Sequence, residues 1–442
     1  MKEPRASGGI RRSAFVAAVS AASAGLSCLF FSAGVRGVWY DSFHYFTLSQ
    51  IVSGEGLWNL QSRVRTYGYP LFVSLCTGFS DVDADTARAL VFAAQWLLYL
   101  AISLYAARVA ERAFGSARFF YGTYLVLALN PIVLIRSTEL LSDTLCATLI
   151  FLAVIVSIER LHAGRRAFLA FLCAGLAAAV RPAAIVVLPA LALAWVARSR
   201  IHREPFLRRL FPAAAAVALA LLPQMVLNVR AYALWSPLPV ERLYGEQAGW
   251  GMSILKYATV VRPGVDPRIV YGNPFRPEGV ASPGEFFERR PVGYLKTLAM
   301  HGFALFDQAL PFTYVTNTRP WYRWPLSLAN YAFLYLAVLG VAAGLARRDS
   351  PGQERVYFTA ALLVSLACVA IYLPVAVESR FSLPVYLVLS PAAVFAVAWL
   401  AARRSGTAVA LAIAGGGFIA VCVQLSRWLW AQAPALSSLA GP

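Results

Sequence analysis

Seven ionisable side chains stand within or at the ends of long apolar runs in this chain: Asp41, Glu139, Asp143, Arg181, Arg230, Glu378 and Arg380. A charge at mid-bilayer costs roughly 2.5–3.5 kcal/mol on insertion scales, so each needs a reason to be there. A carboxylate can take a proton from a hydroxyl, and arginine, always charged, can hold a phosphate through two parallel hydrogen bonds. Long basic side chains at span ends are explained by snorkelling. Carboxylates snorkel poorly, so four of them beside three arginines suggest a shared polar cavity.

Asp41 directly follows the first apolar run, in Val38-Trp39-Tyr40-Asp41-Ser42-Phe43-His44-Tyr45. It could cap a short helix, or hold its carboxylate just outside a bilayer as a proton acceptor. His44, three residues on, is expected on the same helix face, to assist or simply to hydrogen-bond. Glu139 and Asp143 are four apart and are expected to share a face, where they could hold a metal ion, share a proton or bind arginine. Arg181-Pro182 forms a turn between two short apolar runs and Arg230 ends another. Glu378-Ser379-Arg380 is an acid–base pair that could neutralise itself. Lys256, Arg262 and Arg319, from a long loop, could join a phosphate site.

Asp81-Val82-Asp83-Ala84-Asp85 imitates a calcium loop and a nucleotide-sugar DxD motif. It lacks the Gly and terminal Glu of a calcium loop, and an acidic run before an apolar segment is more simply a helix N-cap. The six cysteines lack CxxC spacing and nearby His, which argues against a disulfide framework or a zinc site. No P-loop, GxSxG, HExxH or GxGxxG sequence occurs, so ATP-driven transport and serine hydrolysis have no support.

The elements that must carry these residues follow from composition. Of 442 residues 59% are apolar and 14% charged, against about 45–50% and 25% in soluble domains. The apolar residues lie in runs of about 17–25, the length that crosses a hydrocarbon core. The expected fold is therefore all-α and polytopic, with about eleven transmembrane helices (10–13). They are expected near 13–35, 86–108, 119–136, 144–160, 168–181, 183–197, 210–234, 327–346, 356–376, 382–402 and 407–430. The first run is too long for a secretory h-region. Tyr294–Leu310 is expected to dip into the membrane rather than span it. No repeat or separate soluble domain is visible, so 1–442 is expected to form one membrane domain.

The chain carries 39 Lys and Arg against 21 Asp and Glu, a net charge of +18. With the N-terminus cytoplasmic, about 20 of the basic residues fall in short inner loops, as the positive-inside rule requires. The charge thus reads as a topology signal and nucleic-acid binding is not expected. This orientation puts all seven charges at the outer face, beside two long outer segments, about 36–85 with interfacial helices and about 235–326.

The order of the motifs resembles the GT-C superfamily of polytopic glycosyltransferases. The resemblance rests on Asp41-Ser42-xx-Tyr45, Tyr69-Pro70-Leu71, Leu141-Ser142-Asp143-Thr144-Leu145 and Arg181-Pro182-Ala183. Pro223 with Asn228-Val229-Arg230 is similar to the Pro…Arg-Asn segment, with Asn and Arg separated and reversed. Glu378-Ser379-Arg380-Phe381-xx-Pro384 is similar to the closing Glu-x-Arg-Tyr-xx-Pro, with Phe for Tyr. Together they cover about residues 36–390, nearest to protein mannosyltransferase-like and lipid A aminoarabinose transferase-like enzymes.

The resemblance implies inverting transfer of a sugar from a polyprenyl-phosphate donor to a hydroxyl acceptor (lipid, glycan or protein) at the outer face of the plasma (inner) membrane. Asp41 is then the general base, and Arg181, Arg230 and Arg380 hold the donor phosphate. Asp143, Glu139, His44, Tyr45 and Glu378 orient the sugar or acceptor. No cofactor is expected, with a divalent metal as the alternative. The rival function is a flippase of lipid-linked sugars, which should show an inverted repeat; no paired halves are found.

Overall fold

The computed structural model describes residues 6–34, 38–159, 161–202, 210–241, 243–261, 268–309, 314, 321–347, 352–403 and 405–433. Arg262 and Arg319 lie outside these residues. The chain opens with α1 (Ala6–Ala33), followed by two short helices, α2 (Asp41–Glu55) and α3 (Gly68–Cys76), and the long α4 (Ala84–Phe114). Next come α5 (Ala117–Ala128) and α6 (Pro131–Ser137), then α7 (Ser142–Ile158), α8 (Ala163–Val180), α9 (Val187–His202) and α10 (Leu210–Tyr232). A mixed segment holds α11 (Leu243–Ser253), the strands β1 (Ile254–Thr259) and β2 (Arg268–Gly272), α12 (Pro283–Arg289) and α13 (Pro291–Phe306). Four helices complete the order: α14 (Arg323–Ala346), α15 (Gly352–Ala370), α16 (Leu383–Ala401) and α17 (Ser405–Ala431).

Among the described residues, nine helical segments are long and apolar enough to cross a membrane. The pair α5 and α6, bent by 44°, makes a tenth, and α7, apolar but 17 residues long, covers the remaining expected run. Each of the eleven runs read from the sequence thus falls on a helix or on the bent pair. The protein is an all-α polytopic membrane protein.

Local chemistry sets the helix ends. The Asp83 carboxylate accepts the Thr86 N–H at 2.9 Å and caps α4, so the acidic run is a cap. Gly115, at φ 69°, closes that helix in the left-handed region, which glycine enters without a Cβ clash. Asn130 accepts from the N–H groups of Ile132 and Val133 and starts α6 at Pro131, producing the bend. Gly68, at the start of α3, lies so near the end of α8 that a Cβ would meet the Ala179 carbonyl oxygen at 2.6 Å.

α7 is apolar on every face and buried on every face, as a central helix should be. Most of α16 packs beside it in the same core. α1 and α17 are peripheral and leave Leu29, Ile413 and Val421 more than half exposed, facing the lipid.

The two ends of the bundle differ chemically. At one end Arg12 pairs with Glu111 and Arg112 with Glu159, while Arg198 donates to the Ser157 carbonyl at 3.1 Å. The opposite end holds Asp41, Asp143, Arg181 and Arg380.

Expecting helices alone misses the antiparallel hairpin, where Tyr257 faces Val270. An irregularity between Ile254 and Lys256 breaks the period-2 pattern, so the consecutive Leu255 and Lys256 are both buried. Lys256 donates to the Asp307 carboxylate at 3.2 Å and to the carbonyls of Asp307 and Ala309 at 2.8 and 3.3 Å. All three of its N–H donors are used, so Lys256 ties β1 to the end of α13 and joins no phosphate site. Tyr331 and Ser426 also donate to Asp307, bringing in α14 and α17. Lys256→Met should therefore destabilise the fold by about 3–5 kcal/mol by leaving a buried carboxylate unpaired. Thermal unfolding in detergent checks this, and Lys256→Met with Asp307→Leu should recover much of the loss.

α13 is 16 residues long and is not among the candidate spans. Its inner face buries Thr297, His301 and Leu305, while Val292 and Leu295 face outward. His301 bridges the carbonyls of Leu373 and Ile254.

Candidate active site

Asp41 is the first residue of α2, and the alternative of a capping Asp does not hold: both of its carboxylate oxygens go to arginines. Oδ1 pairs with Arg65, and Oδ2 accepts from Arg380 at 3.0 Å. The Asp41 backbone N–H, which has no partner inside the helix, donates to the Tyr314 hydroxyl at 3.1 Å. Tyr40 precedes it at φ 46°, in the left-handed region that a bulky residue rarely adopts. Its ring stacks on Tyr314 with centroids 6.2 Å apart. Burial alone would push the Asp41 carboxyl up; Arg380, Arg65 and Arg181 outweigh it and hold it at about 2.

Arg380 sits in a single helical turn, Ser379–Ser382, ahead of α16. The turn is positioned from the hairpin side, because the Tyr257 N–H donates to the Val377 carbonyl at 2.8 Å. From α11, the Gln247 carbonyl accepts the Ala376 N–H at 3.1 Å. Arg380 is 7% exposed and bridges three acids: Glu378 at 2.8 Å, Asp41 at 3.0 Å and Asp143 at 3.5 Å.

Arg181 ends α8 with extended backbone, and Pro182 starts the next turn. It donates to Asp143 at 2.5 Å and to the Tyr372 hydroxyl at 3.2 Å, and lies 4.5 Å from the Phe381 ring centroid. Behind this group, buried Arg136 donates to the Ser379 hydroxyl at 3.0 Å. Arg65, Arg136, Arg181 and Arg380 thus face Asp41, Asp143 and Glu378, four cations against three carboxylates.

Five of these groups border a cleft of about 340 Å³. Tyr40, Asp41, Tyr45, Arg65, Arg181, Glu378 and Arg380 line it, and Gln247, Trp250, Tyr257, Thr259 and Tyr314 complete the wall. Beneath Arg181 and Phe381 a narrow space runs between Asp143, Cys146, Cys368 and Tyr372. It shares Val186 and Ile371 with an apolar groove of about 430 Å³ between α9 and α15, lined by Pro189, Leu193, Leu363 and Ala367. Such a site can hold a phosphate at the arginines, a hydroxyl at Asp41 and an apolar chain in the groove.

Of the residues expected in the site, Asp41, Tyr45, Asp143, Arg181, Glu378 and Arg380 come together. Tyr45 bonds Ser142 at 3.0 Å and touches the ring of Tyr69 edge-on. His44, Glu139 and Arg230 do not line the cleft, and each expectation is corrected. On a helix, position i+4 returns to the face of residue i more closely than i+3 does, so Tyr45 faces the cleft with Asp41 and His44 is exposed. Glu139 and Asp143 share no helix face because α6 ends at Ser137 and α7 begins at Ser142. Glu139 turns towards Arg88 and Arg136 instead, and burial, stronger than these cations, pushes its carboxyl up to about 7.

Arg230 is exposed on the last turn of α10. Asn228 turns inward instead and donates to the carbonyls of Ser236 and Leu238 at 2.7 and 2.8 Å. Gln224 bonds Asn228 and accepts the Tyr67 N–H at 2.9 Å, fixing the end of the loop that carries Arg65. Sequence reasoning missed Arg65 and Tyr314. Arg65 stands beside Arg63 in a loop without periodicity, and Tyr314 follows the apolar stretch Tyr294–Leu310 with no charge or motif to flag it. Among the described residues, no three His, Cys, Asp or Glu side chains are grouped to hold a metal ion.

The sequence profile of the Alg9-like mannosyltransferase family matches residues 39–242, the stretch carrying Asp41, Arg65, Asp143 and Arg181. No curated protein sequence matches the chain. The fold is similar to the crystal structure of the Archaeoglobus fulgidus oligosaccharyltransferase in its apo form, with a TM-score of 0.53 at 12% identity, covering 93% of this chain and 55% of that one. A second structure, the archaeal oligosaccharyltransferase AglB from Archaeoglobus fulgidus in complex with an inhibitory peptide and a dolichol-phosphate, gives 0.49 at 13% identity, covering 95% and 56%. The chain thus spans about half the length of the solved structures it matches. The chain is thus similar over residues 39–242 to the Alg9-like mannosyltransferase family, and similar in fold to the archaeal oligosaccharyltransferase.

Proposed function

We propose that this protein is an inverting glycosyltransferase that moves a sugar from a polyprenyl-phosphate donor to a hydroxyl on a lipid, glycan or protein acceptor. The observation that carries this reading is the cleft itself, where Asp41 meets Arg181 and Arg380 beside an apolar groove. The donor phosphate lies against Arg181 and Arg380, and its isoprenoid chain follows the groove between α9 and α15. The acceptor hydroxyl bonds Asp41 and attacks the anomeric carbon from the side opposite the phosphate. As the new C–O bond forms, the bond from that carbon to the phosphate oxygen breaks, and the hydroxyl proton passes to Asp41. The leaving phosphate gains one negative charge, which the fixed guanidinium groups stabilise more in the transition state than in the bound donor.

Glu378 and Asp143 hold Arg380 and Arg181 in place, and Tyr45 shapes the wall beside the sugar. The site faces the outside of the plasma membrane with the N-terminus cytoplasmic, a reading supported by the basic residues of the expected inner loops. Each site carboxylate already has an arginine partner, so the arginines take the part a divalent ion would play. Purified protein given polyprenyl-phosphate sugars and a membrane extract as acceptor source should release polyprenyl phosphate at the same rate in excess EDTA. Loss of release in EDTA, restored by one divalent ion, contradicts the metal-free part of the reading. Retention of anomeric configuration in the product contradicts the single displacement.

A further inference from the structure

Asp41 is held by two arginines whose other bonds differ. Arg380 is shared among Glu378, Asp143 and Asp41, and with Arg181 and Arg65 it lines the cleft. Arg65 is bound to the base and its helix. It pairs with Asp41 Oδ1, lies 4.9 Å from the Tyr45 ring centroid and reaches the Tyr45 hydroxyl at 3.5 Å. Its own backbone N–H is fixed by the Ser62 hydroxyl at 2.9 Å, and Tyr67, two residues on, is anchored to Gln224 and to the Ala220 carbonyl.

A carboxylate with an arginine on each oxygen is a weak base even though lone pairs remain, so opening one ion pair makes that oxygen the better proton acceptor. A phosphate arriving at Arg181 and Arg380 competes with Asp41 Oδ2 for Arg380. Arg65 borders the same cleft, but its guanidinium is held by Asp41 and Tyr45 of the base's own helix. We propose that Arg65 is the positioning residue of the base: it keeps Oδ1 while the donor phosphate draws Arg380 away, so that Oδ2 becomes the oxygen that takes the acceptor proton. Donor binding thus precedes activation of the acceptor. This rests on the reading of Asp41 as the general base.

The charged and titratable groups facing Asp41 come from every element around it: His44 and Tyr45 from α2, Arg65, Asp143 from α7, Arg181, Tyr314, and Glu378 with Arg380. In the wild type, Arg380 and Arg65 offset the burial that pushes this carboxyl up and hold it at about 2. The acidic limb of the transfer rate then lies below the usual assay range. Without Arg65, burial is opposed less, the Asp41 carboxyl rises, and base function is lost as pH falls through the new value.

The test is the pH profile of kcat and kcat/KM for Arg65→Gln and Arg65→Lys. In Arg65→Gln the acidic limb of the rate should lie at higher pH than in the wild type, with the rate at the acid end of the assay range falling below its neutral plateau. Arg65→Lys keeps the charge without the planar fork, and should keep the flat profile with a lower kcat and an unchanged donor KM. An Arg65→Gln profile that superimposes on the wild type would leave Arg65 a structural group and overturn the proposal. So would a raised donor KM in Arg65→Lys, which makes Arg65 a phosphate ligand; that comparison stands even if Arg65→Gln does not fold. Asp41→Asn separates the two levels. If it keeps wild-type transfer, both readings fall; if transfer is lost and the Arg65 profiles do not respond, only the role of Arg65 falls.

Discussion

Asp41→Asn should lower sugar transfer by about 10²–10⁴-fold, the range a positioned general base contributes, while donor affinity holds or improves. Asparagine keeps the size of the side chain and removes the atom that takes the proton. It also removes the negative charge paired with Arg380 at 3.0 Å and with Arg65. Arg380 keeps Glu378 and Asp143 as partners, so the substitution strands no buried cation. With one carboxylate fewer beside the phosphate position, the local field turns more positive and favours the anionic donor. The kinetic signature is a loss confined to kcat with donor KM unchanged or lower. Steady-state rates against donor concentration, together with direct donor binding, check both halves.

The second large effect belongs to Arg380. Arg380→Lys should lower kcat by about 10²–10³-fold, comparable to removing a donor that stabilises developing negative charge. Lysine is a compact charge on a flexible stem and cannot bridge Asp41, Asp143 and Glu378 as a planar fork does. Three carboxylates gathered at one 7%-exposed guanidinium would then repel one another, so the melting temperature should fall as well. Arg230→Lys is the contrasting substitution. Arg230 is exposed and does not line the cleft, so transfer and stability should match the wild type. A loss with Arg230→Lys equal to that with Arg380→Lys would mean that the phosphate sits elsewhere.

Much of the bundle was legible in the sequence because a membrane helix must be apolar over a set length, and each expected run lies on a helix or on the α5–α6 pair. The clustered residues that could be read were charges that burial would otherwise penalise at span ends: Asp41, Asp143, Arg181, Glu378 and Arg380. The misreadings have local causes. Spacing placed Glu139 beside Asp143 on the assumption of one helix, and the break between Ser137 and Ser142 removes it. Spacing also made His44 a partner of Asp41, whereas the helical repeat favours Tyr45.

Arg65 and Tyr314 could not be found this way. They reach Asp41 from loops 24 and 273 residues along the chain, and no periodicity relates a loop residue to the helix it will meet. The hairpin was hidden for a related reason: Lys256 points inward to Asp307, which spoils the alternation of a half-buried strand.

The central claim is that a sugar leaves its polyprenyl phosphate in the cleft between Asp41 and the arginines. It is tested most directly by giving purified wild-type and Asp41→Asn protein a panel of polyprenyl-phosphate sugars and a membrane extract as acceptor source. Released polyprenyl phosphate is followed by mass spectrometry, and donor binding is measured in parallel. The wild type should release polyprenyl phosphate from one donor, and Asp41→Asn should lose nearly all release with donor binding intact. Equal release by the two proteins, or donor binding without release from any donor, would contradict it.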